Sequence, residues 1–477
     1  MSVIINTKIG ENRGRARVWL EGIKLSREGF RPGMRYDLVL EDTRIVLRTA
    51  ENGHFTISRR ERGGKVLPII DICSNELRRL FAGVEMLRVA IKRGTIVITA
   101  HGSHDRVKER VERLVQKVRS NTPLDVCSLF HGGGVLDKAL HAGFAQAKVR
   151  SHVAVAVEMD SRYIDSSLEN NPELWTDRSV VIDSPIQAAD IAMSAPSVDV
   201  LVAGIPCTGA SKSGRSKNKL EFAESHPDAG AMFFHFLQFV QALNPAIVVI
   251  ENVPEYANTA SMEVIRSVLG SQGYDVQERV LDGNDFGALE RRKRLCVVAS
   301  SHGLESAQFH MAQVSAQQEK LATVSEILEP LALDDPRWRG FDYLAEKEVR
   351  DKAAGKGFDR QLLDGSEPFC GTIGKDYSKC RSTEPFLRHP QDSSLSRIFT
   401  PTEHARLKGI PESTVAGLSD TVAHQVLGQS VIYPVFKAVG FAIGCALVRF
   451  AELLSGREAD AVVSPTEDVC NPQLALI

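Results

Sequence analysis

The stretch Asp199-Val-Leu-Val-Ala-Gly-Ile-Pro206-Cys207-Thr-Gly-Ala-Ser211 carries an unbroken apolar run into a proline, then a cysteine on a polar loop. Continuous hydrophobicity marks a strand covered on both faces, as in a parallel sheet. Val126–Phe130, Val153–Val157, Ala246–Ile250 and Leu295–Ala299 share that texture, with helical text between them. The segment from Leu124 is therefore read as α/β, a mainly parallel sheet with right-handed crossovers. Such sheets bind ligands at the carboxyl ends of their strands. Cys207 is delivered to that edge, whereas a structural cysteine would sit inside the strand. The run ending Ile250-Glu251-Asn252-Val253-Pro254 sets an acid at the same edge. Cysteine and glutamate at neighbouring strand tips make a nucleophile and proton-handling pair.

Upstream, the first run leads into Phe130-His131-Gly132-Gly133-Gly134 and an apolar helix beginning Val135-Leu136. Glycines at a strand-to-helix turn let a ligand approach the backbone and the helix N-terminus. The second run ends Val157-Glu158-Met159-Asp160; an acid there suits a ribose diol, and a surface carboxylate is the alternative. His131 and His404 are read as packing or helix-end residues.

Outside this body, residues 1–100 read as a β-rich module, with strands at Ala16–Leu20, Tyr36–Leu40, Arg44–Leu47, Lys65–Ile72 and Leu87–Thr99. An amphipathic linker helix (101–122) follows, ending at Pro123 and read as packed on the next domain. The α/β body takes 123–300, an irregular insert 301–395, returning helices 396–455 (Leu395–Gly409 and Val426–Ala451) and a tail 456–477. The 477 residues carry a net charge of −2, with 43% hydrophobic and 25% charged residues, ordinary for a globular chain. Residues 1–122 hold 25 Lys+Arg against 14 Asp+Glu and the rest 33 against 46, so a basic front precedes an acidic body. That division points to a polyanionic partner. The eight cysteines are scattered without metal-ligand spacing, so no metal is expected. No signal peptide or membrane-spanning run is read, which gives a cytoplasmic location.

Taken together, the motifs from Leu124 to Val448 resemble the DNA cytosine-5 methyltransferase family. Phe130, Gly132 and Gly134 resemble its FxGxG loop, and Glu158 its ribose-binding acid. Pro206-Cys207 with Ser211 is similar to PCxxxS, and Glu251-Asn252-Val253 to ENV. Asn284-Asp285-Phe286-Gly287 followed by Glu290, Arg292 and Arg294 is similar to DFG…QxRxR. Arg397, Thr400, Pro401, Glu403, Arg406, Leu407, Gly409 and Pro411 resemble RxLTPxExxRLxGxP. Gly428, Ser430 and Val431 resemble GNSV. Val135, Thr208, Ala210, Glu290, Lys408, Ile410 and Gln429 depart from common family residues; Glu290 and Lys408 each stand where Gln is usual.

The resemblance implies a class I S-adenosylmethionine-dependent methyltransferase with a Rossmann-like sheet and an inserted target-recognition domain. It implies that the Cys207 thiolate attacks C6 of a flipped-out cytosine in double-stranded DNA and that C5 receives the methyl group. Glu251 would donate to N3, Arg294 would contact O2, and Arg292 would orient the loop. Phe130, Gly132, Gly134, Glu158, Met159, Asp183, Pro206 and Ser430 would bind the cofactor, with Ser128 and Met232 nearby. For Asp183 a helix-capping role is the alternative. Pro206, Ser211, Asn252, Val253 and Arg397 would bind substrate. Lys375, Tyr377, Lys379, Arg381, Ser382, Thr383 and Arg388 are the candidates for reading DNA. A monomer is expected, with or without a restriction endonuclease partner. Alternatives are an RNA cytosine-5 methyltransferase on the same framework, a catalytically weak DNA-binding regulator, and a nicotinamide-dependent oxidoreductase.

Overall fold

A computed structural model describes residues 2–189, 196–206, 223–226, 229–356 and 358–463, with side chains through residue 455. The chain divides into two compact units, residues 1–109 and 110–477.

The first unit runs β1 (Val3–Lys8), β2 (Gly10–Asn12), β3 (Arg15–Glu21), α1 (Ile23–Arg27), β4 (Arg35–Glu41) and β5 (Arg44–Thr49). It then repeats that order as β6 (Phe55–Thr56), β7 (Ser58–Arg62), β8 (Lys65–Ser74), α2 (Asn75–Leu80), β9 (Met86–Lys92) and β10 (Thr95–Ala100). The two copies interlock into sheets ordered β1-β9-β10-β5-β4-β6 and β2-β3-β8-β7. Exchanging each strand for its counterpart leaves both orders unchanged, so the unit is an internal duplication about a pseudo-two-fold axis. Details repeat too. Ile9 N–H donates to Glu85 O and Ile57 N–H to Met34 O, each at 2.9 Å. The hairpin turns Arg13-Gly14 and Gly63-Gly64 both take positive φ at both residues, the geometry that matches strand twist in a two-residue hairpin. Val18, Leu20 and Leu25 from one copy and Ile70, Ile72 and Leu77 from the other share one buried core. The sequence reading of Leu87–Thr99 as one strand is corrected, because Arg93-Gly94 turns it into the β9–β10 hairpin.

In the second unit, α3 (Gly102–Arg119) contributes its half from Arg110 onward. Arg110 is buried, lies 3.7 Å from the Tyr274 ring centroid and donates to Ser301 Oγ at 2.7 Å. Arg113 reaches Asp199 Oδ1 at 3.1 Å, and Lys117 reaches Asp125 and Asp199 at 2.6 Å. These cations dock the helix on the α/β body, as expected of a packed linker.

The body consists of β11 (Leu124–Leu129), α4 (Val135–Gln146), β12 (Ser151–Glu158), α5 (Ser161–Asn170), β13 (Val180–Asp183), β14 (Val200–Gly204), α6 (Met232–Leu243), β15 (Ile247–Asn252), α7 (Ala260–Ser271), β16 (Tyr274–Asp282) and β17 (Lys293–Ser301). The sheet order is β13-β12-β11-β14-β15-β17-β16. The first five strands are parallel, and β17 runs antiparallel to both its neighbours. Edge strand β13 escaped the sequence reading because its apolar run is only Val180–Ile182, and β16 because its exposed, polar composition lacks the continuous apolar signal.

The insert holds β18 (Arg339–Gly340), α8 (Asp342–Ala353), β19 (Leu362–Leu363), β20 (Phe386–Arg388) and β21 (Leu395–Arg397), in the sheet β18-β21-β20-β19. Leu395–Arg397 was expected to start a helix; it pairs with β18 and β20, so the insert's sheet passes the expected limit at 395. The returning helices are α9 (Pro401–Leu407), α10 (Asp420–Gln429) and α11 (Tyr433–Val463). Thr400 and Glu403 form a capping box with Pro401 in the first turn, a helix-start signature. Val426–Ala451 is likewise two helices, parted at 430–432.

Against the expectation of no spanning run, Tyr433–Ser455 has a mean hydropathy of 1.7 and is long and apolar enough to cross a membrane by length and composition alone. Half of it is buried, and Val435, Phe436, Val439, Ile443 and Leu447 join the body's core with α4 residues Leu140 and Phe144. Glycines let the two helices touch. A Cβ on Gly143 would lie 2.2 Å from Lys437 O, and one on Gly440 2.4 Å from Leu140 O. Gly143→Ala should therefore lower stability by about 1–3 kcal/mol in urea denaturation. Gly270→Ala in α7, where nothing lies within 4 Å, should be neutral or add about 0.5–1 kcal/mol.

Candidate active site at the carboxyl edge of the sheet

Parallel register aligns the strand tips. Glu158 pairs with Asp183 and Gly204 with Glu251. Cys207 and Ser211 lie outside the described residues, but the approach to them is defined. Asn252 is buried and donates from Nδ2 to Ile205 O at 3.1 Å, tying the β15 tip to the chain entering Pro206-Cys207. Gly204 lies directly beside the Glu251 carboxylate, a Cβ there standing 3.7 Å from Oε2, an ordinary contact.

Glu251 receives Arg294 from the start of β17, Nε to Oε1 at 2.8 Å, with both side chains about 15% exposed. The pair is shielded yet reachable. Burial pushes the neighbouring thiols of Cys127, Cys296 and Cys370 upward, which suits inert structural cysteines. Among the described residues, all the cysteines are free.

At β11, Phe130, Gly132 and Gly134 take positive φ and turn the chain onto α4. A Cβ on Gly133 would fall 2.5 Å from Val426 Cγ1, so α10 presses on this loop. The loop is braced from beneath: His131 contacts Ser128 Oγ at 2.9 Å and Ser167 Oγ at 2.8 Å, and Ser128 donates to Asp137 at 2.6 Å. His131 is structural, as read. Ser128 is engaged in this brace, and Met232 packs in the core. Val135, a departure from the family pattern, is a core residue at the start of α4.

Glu158 accepts from the backbone N–H groups of Gly132 (2.7 Å), Met159 (2.9 Å) and Asp160 (3.0 Å). A carboxylate has about four acceptor positions, so capacity remains for a hydroxyl donor. Met159 is exposed beside it. Asp160, not Asp183, caps α5; Asp183 accepts from Ser161 Oγ at 2.7 Å at the sheet edge. A positive-φ glycine loop at a helix N-terminus, a fixed acid at the next tip and an exposed thioether fit an adenosyl-type cofactor. Gln429, one of the departures from the family pattern, has Nε2 3.6 Å from where a Gly132 Cβ would be. Ser430 ends α10 and donates to Leu427 O at 2.6 Å.

Several residues expected at the site or in DNA reading are buried and bonded within the protein. Val253 is packed in the core. Arg397 is buried, holds Glu403 through two bonds of 2.6 and 2.7 Å and faces the Trp338 ring; it cannot also reach DNA. Tyr377 is fully buried, donating to Pro385 O at 2.6 Å. Arg292 is buried and ties the insert to the returning helices, reaching Ile373 O and Gly428 O at 3.1 Å each. Of the remaining recognition candidates, Lys375 lies over the Tyr163 ring, Lys379 and Arg381 pair with Asp376, and Arg388 is exposed.

The fold and site define an S-adenosylmethionine-dependent methyltransferase. Residues 124–445 match the family described as C-5 cytosine-specific DNA methylase, and the chain belongs to that family. It is 28% identical to type II methyltransferase M.NlaX of Neisseria lactamica over 68% of this chain and 96% of that one. It is 28% identical to M.SsoII of Shigella sonnei over 51% and 63%. The structure of Entamoeba histolytica methyltransferase EhMeth aligns with a TM-score of 0.51 at 19% identity, over 67% of this chain and 98% of that one, a likeness of fold. The protein is thus a DNA cytosine-5 methyltransferase that uses S-adenosylmethionine.

Arg397→Ala would strand the buried Glu403 carboxylate. It should cost about 3–5 kcal/mol in chemical denaturation. The salt dependence of DNA binding should stay unchanged.

Proposed function

We propose that Cys207 is the nucleophile and Glu251 the acid that activates a cytosine extruded from double-stranded DNA, within a monomer and in the cytoplasm. The Glu251–Arg294 contact of 2.8 Å carries the reading, because it lies across from Gly204, three residues before Cys207. The Cys207 sulfur adds to C6, and the C5=C6 π electrons move toward C5 and the N3 side of the ring. The Glu251 carboxyl passes a proton to N3, while Arg294 orients it and faces O2. Glu158, with the Phe130–Gly134 loop and Met159, holds the adenosyl part; S-adenosylmethionine supplies the electrophilic methyl group for C5. Loss of the C5 proton to a base re-forms C5=C6 and expels the Cys207 thiolate. Extruding the base costs a few kcal/mol, and exposed Arg388 with neighbouring insert residues would read base edges.

DNA containing 5-fluorocytosine has no C5 proton to lose, so it should trap an adduct that survives denaturing electrophoresis. Cys207→Ser should abolish the adduct, and Glu251→Gln should lower kcat about 10²–10⁴-fold. An adduct that persists in Cys207→Ser would end the assignment. Competition between duplex DNA and structured RNA separates the DNA reading from an RNA one.

The duplicated first unit is proposed as an auxiliary DNA-binding module. Its two equivalent hairpins both carry cations: Arg13, Arg15 and Arg17 on one, Arg59, Arg60, Arg62 and Lys65 on the other. Arg17 is held by Asp71 and Arg60 by Glu21. Replacing Arg13, Arg15, Arg59, Arg62 and Lys65 by Gln should flatten the slope of log K against log salt by about 0.9 for each phosphate that is no longer neutralised. An unchanged slope would refute the role. A truncation serving the same test must end before α3, whose Arg110 and Arg113 belong to the catalytic unit.

A further inference from the structure

Two departures from the family pattern that lie 118 positions apart in sequence, Glu290 and Lys408, meet in space. Both side chains are fully buried, with Nζ 3.2 Å from Oε2. Their surroundings are a junction of chain segments. Leu289 and Glu290 N–H groups both donate to Leu407 O at 3.0 Å, and Arg291 N–H donates to Cys370 O at 2.9 Å. Glu290 Oε1 accepts from Ile373 N–H at 3.2 Å and lies 3.4 Å from Arg292. Two residues further on, Arg294 grips Glu251. The pair thus stands at the root of the segment that carries both arginines.

We propose that Glu290 and Lys408 act as one coupled unit, positioning residues that set Arg292 and Arg294 and, through Arg294, the carboxyl of Glu251. The inference rests on the catalytic reading of Glu251 above. Its physical basis is that a buried carboxylate and a buried ammonium are each costly alone and tolerated only together. Lys408 has Glu290 as its charge partner, and its Nζ makes no hydrogen bond of good geometry. Nothing else among the described residues would neutralise it if Glu290 lost its charge. Glu290 without Lys408 would draw Arg292 inward, away from Ile373 O and Gly428 O, and β17 begins at the next residue. Burial and the cations Arg292 and Arg294 lower Lys408 to about 7, with Glu290 opposing them. His404 and Cys370 also face the cluster, burial keeping His404 neutral and Cys370 a thiol. Glu384, across Gly374 from Glu290's partner segment, is raised by burial. Lys408 is therefore the group there whose charge changes near neutrality.

The test is a double-mutant cycle in the full-length protein, with Glu290→Gln, Lys408→Gln and the double variant, read by single-turnover methylation, KM for DNA and thermal midpoint. Each single variant should lose at least about tenfold in the methylation rate, with KM changed by less than about threefold. The double variant, an uncharged amide pair of similar size, should return to within about threefold of the parent. The ratio of parent to double-variant rates should fall as pH rises through about 7, where the ion pair discharges. In Glu290→Gln that inflection should move to lower pH, since Glu290 raises Lys408. Additive losses in the double variant, or four identical pH profiles, would overturn the proposal. Should a single variant fail to fold, a double variant impaired more than about tenfold would overturn it equally. Failure of the Glu251 reading is seen separately: Glu251→Gln would then methylate at the parent rate whatever the cycle shows.

Discussion

The site depends on strand direction. Five parallel strands end at one edge, so their tips deliver the glycine loop, Glu158, the Pro206 approach and Glu251 side by side. A sixth parallel strand would have placed its start at the far edge. Because β17 runs backward against β15, its start lies where β15 ends: Asn252 faces Leu295, and Glu251 faces Cys296. Arg294, the residue before Leu295, is therefore carried to the carboxylate by backbone register. Without that reversal the Glu251–Arg294 contact could not form between these segments.

The second constraint is closeness between segments distant in sequence. Gly133 leaves room for Val426, and a Cβ on Gly428 would lie 2.1 Å from Gly374 O. The last turn of α10 is thus pinned between the cofactor loop on one side and the insert on the other, with Arg292 bonding across to Gly428 O and Ile373 O. This explains why short motifs hundreds of residues apart behave as one site. Packed interiors pass displacement on rather than absorbing it, so an error in α10 would reach the loop under Glu158.

How much of this was legible in the sequence follows from how burial writes itself into composition. Central strands β11, β12, β14, β15 and β17 show as apolar runs because both faces are covered. The edge strands do not, because β13 offers only three apolar residues and β16 is polar and largely exposed. The carboxyl-edge residues Glu158, Glu251 and Arg294 were legible because each interrupts an apolar run or motif with a charge. Burial at Arg397, Asn252, Val253 and Tyr377 was not legible in the same way, because a sequence pattern does not separate residues that brace a site from residues that line it. Arg397 is spent on Glu403, and Asn252 on Ile205 O. The pairing of Glu290 with Lys408 had no local signal at all, since each residue alone reads as a simple departure. The duplication in the first unit was hidden similarly, because what its copies share is strand order and alternating buried positions.

That duplication also bears on what the first unit can present. A homodimer must show the same patch twice about its axis; two copies in one chain are free to diverge. On the larger sheet, Asp37 and Glu41 in β4 stand where the second copy has Arg88 and Lys92 in β9, as the matching hairpin registers β4–β5 and β9–β10 require. In the first half of that face Asp37 and Glu41 stand opposite Arg48 and Arg44 and their charges balance, whereas Arg88 and Lys92 stand opposite Thr99 and Thr95 and leave the other half basic. The tips of the β2–β3 and β7–β8 hairpins, in contrast, are basic in both copies. Long-range attraction to a polyanion sums over all charges, but its direction follows their separation. The divergent face supplies a gradient across the unit, while the paired tips supply two equivalent points of contact. A duplex backbone, with phosphates repeating on both sides of its grooves, can satisfy two like tips at once.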